Sequence, residues 1–306
     1  MQGNRSASRY PPLDGGGSPD GDGSLIPPPS RKEPTMIRRL VGVAIAVTAT
    51  FALVTAPEAS AATTTFTGAV ALSNCSGSVV KPAATPMDAP ALVLSNGHCL
   101  EEGMPDPGQV IVGQASNRSF DLLSPDGQSS VGTVTATKVV YATMTDTDIS
   151  LYQLSDTYAD IQQKYSVPPL ELVNTHPQAG TPIDVVSGYW KQIYSCSIDG
   201  FVHELHENNW VWKDSIRYVP GCATIGGTSG SPVVDRDTGK VIGVNNTSND
   251  NGESCTLNNP CEVDEAGNVT VRPNYKYGQE TYGIPACLTP ANEIDLNQQG
   301  CTLPKP

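Results

Sequence analysis

The chain has 306 residues, enough for one large domain or two small ones with real cores, and 38% of them are hydrophobic against 16% charged. Its net charge of −13 speaks against nucleic acid or an anionic membrane surface as partner, since both require clustered Lys and Arg. Frequent Gly (29) and Pro (26), with few residues that favour long helices, indicate a β-rich fold.

Residues 1–35 are Pro/Gly-rich, with Gly15-Gly16-Gly17 and Pro27-Pro28-Pro29, and read as a disordered extension or a start assigned upstream of the true one at Met36. From Met36 the pattern changes. Arg38-Arg39 precedes an apolar run over 40–54, and Ala59-Ser60-Ala61 supplies a small-x-small cleavage site. This predicts a signal peptide over 36–61 and a secreted, extracellular mature chain over 62–306. The apolar run falls short of the ~20 residues a spanning helix needs, so no membrane anchor is expected.

Within 62–306, short apolar runs alternate with turn residues. Strands are predicted at 91–95, 109–112, 132–142, 149–154, 183–187, 193–205, 210–218, 232–235 and 241–245, with a hairpin turn at 235–240. Helices are predicted at 158–164 and, near the C-terminus, at 290–298. Many short strands at this spacing suggest a sandwich or barrels. Eight cysteines, an even number without a Cys-x-x-Cys pair, point to disulfides rather than a zinc site; 105 pairings are open to them. The acidic stretch 249–270 lacks an ordered calcium-loop motif and reads as a solvated loop, so no metal and no cofactor are expected.

Three motifs carry chemistry. A serine hydroxyl is a weak nucleophile and needs a base, a carboxylate that orients the base, and donors for the developing oxyanion. Gly226-Gly227-Thr228-Ser229-Gly230-Ser231-Pro232 has glycines that let the backbone turn tightly beside Ser229. Upstream stand Ser95-Asn96-Gly97-His98-Cys99 and Asp148-Ile149-Ser150-Leu151-Tyr152. In this order the pieces resemble the trypsin/chymotrypsin family of serine peptidases over residues 66–285, and most of all its secreted actinobacterial and glutamyl-endopeptidase-like members. Asp146 competes with Asp148 in Thr-Asp-Thr-Asp, but the family pattern sets an aliphatic residue after the aspartate, and Ile149 meets it.

The resemblance implies an all-β fold of two antiparallel six-stranded, chymotrypsin-like β-barrels, the first over about 66–165 and the second over about 180–285, with a short C-terminal helix. It implies Ser229 as nucleophile, His98 as base, Asp148 as orienting carboxylate, and the N–H groups of Gly227 and Ser229 as an oxyanion hole. Ala223, Thr224 and Asn245 fall where the family lines its specificity pocket, giving a neutral pocket rather than one for Arg or Lys. The resemblance also implies a disulfide between Cys75 and Cys99; Cys196 with Cys222, Cys255 with Cys261 and Cys287 with Cys301 complete the expected set. Thr228 stands where trypsin carries an activating aspartate, which predicts an enzyme without trypsin-type activation. The expected activity is that of a monomeric secreted serine endopeptidase on protein or peptide substrates. The alternative is an inactive protease-like, or a carbohydrate- or protein-binding, secreted β-domain.

Overall fold

The computed structural model describes residues 63–306; the predicted extension 1–35 and signal peptide 36–61 lie outside the described residues. Seven strands come first: β1 (Ala69–Ala71), β2 (Ser76–Pro82), β3 (Pro90–Ser95), β4 (Val110–Ala115), β5 (Ser119–Leu123), β6 (Ser130–Thr143) and β7 (Ile149–Thr157). Six of them close a ring of antiparallel pairs in the order β1, β2, β3, β7, β6, β5 and back to β1, and β4 adds to β6. A second ring follows from β9 (Pro182–Ser187), β10 (Gln192–Glu207), β11 (Trp210–Tyr218), β12 (Pro232–Asp235), β13 (Val241–Ser248) and β16 (Lys276–Glu280). Its pairs run β9, β10, β11, β16, β13, β12 and back to β9, again antiparallel. The short hairpin β14 (Cys261–Val263) and β15 (Val269–Val271) extends β10. The chain is thus two six-stranded barrels, as the resemblance implies.

Between them, β8 (Leu170–Leu172) pairs in parallel with β2 of the first barrel and with β13 of the second. An apolar seam lies alongside. On β3, Ala91 and Val93 point into the first barrel's core, while Leu92 and Leu94 point the other way, into a cluster shared with Val186, Val234, Val241 and Val244 of the second barrel. The same alternation divides Tyr152 from Ile149 and Leu151 on β7. Strands buried on both faces read as continuous apolar runs, which is why Ala91-Leu92-Val93-Leu94 lacks the usual polar alternation. Gly188 closes the seam: a Cβ there would run into the Val70 carbonyl oxygen.

The one α-helix among the described residues, α1 (Tyr158–Tyr165), starts on a capping box in which Thr157 and Asp160 satisfy each other's backbone N–H, and stops at Ser166 in the left-handed region. No helix among the described residues is long and apolar enough to cross a membrane. The predicted helix at 290–298 does not form. That segment is a series of turns with a bridge between Leu288 and Ile294. Tertiary bonds override its local preference: Asn292, at φ 59° and fully buried, donates its amide to the Pro90 carbonyl (2.8 Å) and the Tyr158 hydroxyl (2.9 Å). The Cys287–Cys301 disulfide closes the loop around these turns. What remains helical there is a single 3₁₀ turn, Pro285–Cys287.

One buried carboxylate has no hydrogen bond among the described residues. The Glu280 side chain at the end of β16 is 8% exposed, and neither of its oxygens has a hydrogen bond. Burial, and then the charge of Asp214, push its carboxyl up to about 9.

The C-terminal turns earn their place through Asn292. Asn292→Ala removes the donor to the Pro90 carbonyl and to the Tyr158 hydroxyl, which keeps its own bond to the Val80 carbonyl, so the expected loss is about 1–3 kcal/mol. Urea unfolding checks this, as a lower midpoint with unchanged slope.

Candidate active site

His98 sits in a 3₁₀ turn, Gly97–Cys99, that follows β3 directly. Only glycine fits before it, because a Cβ at Gly97 would strike the Thr143 carbonyl oxygen. Behind it Cys99 is bonded to Cys75, so neither sulfur is available to a metal beside His98. Asp148, fully buried at the start of β7, grips His98 twice. Its Oδ2 lies 2.7 Å from Nδ1, and its Oδ1 accepts the His98 backbone N–H at 3.0 Å. With Nδ1 donating to a carboxylate, Nε2 is left as the ring's acceptor. Burial lowers the His98 pKa, but Asp148's charge and hydrogen bond, with a smaller part from Glu207, outweigh it and hold the pKa above 6.5. Asp146 is elsewhere, at φ 60° in an isolated bridge to Trp212 and paired with Lys213 at 2.9 Å.

Ser229 follows a tight turn. Thr228 donates its N–H to the Ile225 carbonyl (3.1 Å), and Gly227 has φ 87°, the type II conformation that favours glycine at this position. Trp190 Nε1 donates to the Gly226 carbonyl at 2.8 Å. The Gly227 N–H, on the opposite side of that peptide, therefore points away from Trp190. Among the described residues neither Gly227 N–H nor Ser229 N–H donates to a protein acceptor. The Ser229 hydroxyl donates to the Asn246 carbonyl at 3.3 Å. No hydrogen bond joins it to His98 among the described residues, although both line one cleft.

The serine loop is fastened to the first barrel. Ser76 N–H holds the Ser229 carbonyl at 2.8 Å, and Asn96 Oδ1 accepts the Gly230 N–H at 2.5 Å. Asn96 also donates to the Asp148 carbonyl at 2.7 Å. A Cβ at Gly230 would strike the Ser76 carbonyl oxygen, which fixes glycine after the serine.

A family model described as a trypsin-like peptidase domain matches residues 75–244, more than half of the chain, a range that includes His98, Asp148 and Ser229. The chain belongs to the trypsin-like peptidase family. No curated protein sequence matches it. Among solved structures it is similar to the MamO protease domain from Magnetospirillum magneticum (12% identity, 74% of this chain and 98% of that one, TM-score 0.45). It is also similar to the active form of the Rv3671c protease from M. tuberculosis (14%, 78% and 82%, TM-score 0.42). A third is the thermostable serine protease AL20 from an extremophilic microorganism (16%, 70% and 89%, TM-score 0.39).

In this trypsin-like peptidase the cleft beside His98 and Ser229 has a volume of about 130 Å³. Thr224 and Asn245 line it, both buried. Ala223 does not: it is exposed and outside the cleft, because the chain turns outward between Cys222 and the buried Thr224. A larger hollow of about 820 Å³, walled partly by the C-terminal turns, includes neither His98 nor Ser229. The cysteines are bonded as 75–99, 196–222, 255–261 and 287–301.

Three contributors escape motif reading. Asn96 and Trp190 act through backbone groups, which no residue pattern marks. Glu207 is buried in the cleft wall, accepting from the Thr247 hydroxyl (2.5 Å) and the Asn258 N–H (2.9 Å), and burial raises its pKa. Its signal was present: Leu205 and Glu207 share the inward face of β10 at a spacing of two.

An NMR titration of the His98 ring should return a pKa above 6.5. Both Asp148→Asn and Glu207→Gln remove anions that favour the imidazolium, so each should lower it, Asp148→Asn by more.

Proposed function

We propose that this chain is a secreted serine endopeptidase that acts as a monomer on protein or peptide substrates. The observation that carries the proposal is the convergence in one cleft of the His98–Asp148 couple, the Ser229 hydroxyl and two N–H groups without acceptors. In the reaction Ser229 Oγ turns about its Cα–Cβ bond from Asn246 towards His98 Nε2, a change of rotamer. His98 takes the hydroxyl proton as Oγ attacks the scissile carbonyl, and Asp148 stabilises the imidazolium. The Gly227 and Ser229 N–H groups receive the oxyanion, and His98 then passes its proton to the leaving amine. Water releases the acyl group by the same path. Catalytic hydrogen bonds are often long before substrate binds, which accounts for the open Ser229–His98 pair.

Thr228 supports activity without trypsin-type activation. Its hydroxyl donates to the Ile225 carbonyl (2.6 Å) and accepts from Asn245 Nδ2 of β13 (3.0 Å), so the turn that shapes the oxyanion hole is held by uncharged groups. Four disulfides support an oxidising, extracellular setting for the chain.

For the side chain preceding the cleaved bond, the cleft favours small, apolar or uncharged polar groups. Asn245 Nδ2 is occupied by Thr228, while Asn245 Oδ1 is buried without a donor and can accept one from the substrate. Glu207's oxygens are already engaged. A peptide-library profile should therefore centre on such residues, and one dominated by Arg and Lys would refute this pocket.

The open Ser229–His98 pair also favours a rival reading, an inactive protease-like binding domain. An organophosphonate serine probe separates the two. The expected result is one adduct at Ser229, lost in His98→Ala, with kcat/KM falling ~10⁴-fold or more in Ser229→Ala and His98→Ala. An unlabelled Ser229, or a Ser229→Ala chain that still cleaves peptides, overturns the assignment.

A further inference from the structure

On the second barrel, outside the cleft, three side chains that are distant in sequence converge. His176 lies in the segment between β8 and β9, Asp214 on β11 and Glu280 at the end of β16. His176 Nε2 is 3.2 Å from Asp214 Oδ2 and 3.7 Å from Glu280 Oε1, and the three ligand atoms lie within 4.8 Å of one another. The 3.2 Å pair is not aligned as a hydrogen bond. On the other side of the ring, Nδ1 is 2.6 Å from the Pro177 carbonyl and donates to it. That bond fixes the tautomer and leaves Nε2 as a lone pair facing two carboxylates, the arrangement a backbone carbonyl imposes on a metal-binding histidine. The Phe201 ring meets the imidazole edge-on and the Tyr282 ring lies tilted against it, with centroids 4.3 and 5.1 Å away. Asp214 is held at φ 52° and accepts from the Tyr282 hydroxyl at 3.2 Å.

Glu280 makes the cluster unusual. Its side chain is 8% exposed, and both oxygens are buried without a hydrogen bond among the described residues. Buried carboxylates are ordinarily bonded, paired or metal-bound. Here three potential ligand atoms converge, and among the described residues the Tyr282 hydroxyl is the one donor bonded to any of them.

We propose that His176, Asp214 and Glu280 bind a divalent transition-metal cation, Zn²⁺ foremost. Ligands ~2.0–2.1 Å from a tetrahedral Zn²⁺ lie about 3.3 Å from one another, close to the two separations observed. One imidazole with two carboxylates suits Zn²⁺ better than Ca²⁺, which takes six to eight oxygens. His176 and Asp214 are about 40% exposed, so solvent reaches the site and water can complete the shell. The ion ties the segment between the barrels to β11 and β16. Its effect is structural, and the proposal is independent of the peptidase reading, since none of the three residues lines the cleft.

The test uses the full chain, stripped with chelator and desalted, titrated with ZnCl₂ by calorimetry and melted with and without the ion. The expected result is one equivalent bound and a melting temperature that rises with ZnCl₂ concentration. His176→Ala, Asp214→Asn and Glu280→Gln should each weaken binding by more than the roughly 10–100-fold that a merely supporting residue costs. Melting in chelator shows whether each variant is folded, and the near-isosteric Glu280→Gln is the decisive one. His98→Ala should bind as the parent does. No binding, stoichiometric binding that survives Glu280→Gln, or binding lost in His98→Ala overturns the site.

Discussion

Asn96 donates its amide to the Asp148 carbonyl and accepts the Gly230 N–H, so one fully buried side chain spans the residues flanking His98's carboxylate and Ser229. Ser76 works from the other side. Its N–H holds the Ser229 carbonyl, its hydroxyl meets that of Ser187, and its carbonyl receives the Ser95 hydroxyl. Each such group left unpaired in a buried site costs about 1–3 kcal/mol. Sliding one barrel along the other would break several at once. The relation between His98 and Ser229 is thus a property of the seam between barrels, and the apolar cluster on β3, β7, β9 and β13 supplies the packing that makes the seam worth closing.

The serine loop shows how composition follows from this constraint. Gly227 supplies the positive φ of the turn, Gly230 the approach to Ser76, and Thr228 an uncharged lock. Polar groups left without partners gather close by. Among the described residues, Asn245 Oδ1 and both side-chain amide atoms of Asn246 are buried and unbonded beside Ser229. Native structures leave few such groups, and those they leave tend to sit where something else completes them. A substrate chain entering the cleft is the natural complement.

Most of the two-barrel order was legible in the sequence, because turn residues punctuate short runs and the three motifs bring a family with them. The C-terminal segment was misread: Pro290 to Gln298 looks helical by local pattern, but the buried bonds of Asn292 come from residues some 200 and 134 positions away. Ala223 was misplaced for a related reason. Counting back from Ser229 gives a position in the chain, whereas facing the cleft depends on how the chain turns after Cys222. Asn96 and Trp190 hold the site through backbone atoms, and a sequence does not record which peptide a side chain will hold. His176, Asp214 and Glu280 have no short spacing to mark them; only the closure of the second barrel brings them together.

The linker strand β8 has a consequence for how such a molecule can be controlled. By pairing with β2 and β13 together it removes the slack that a hinge would need. A swing of one barrel against the other would break these pairings. Restraint that leaves them intact has to come from outside, as a plug laid into the groove, or from the surface loops at its rim.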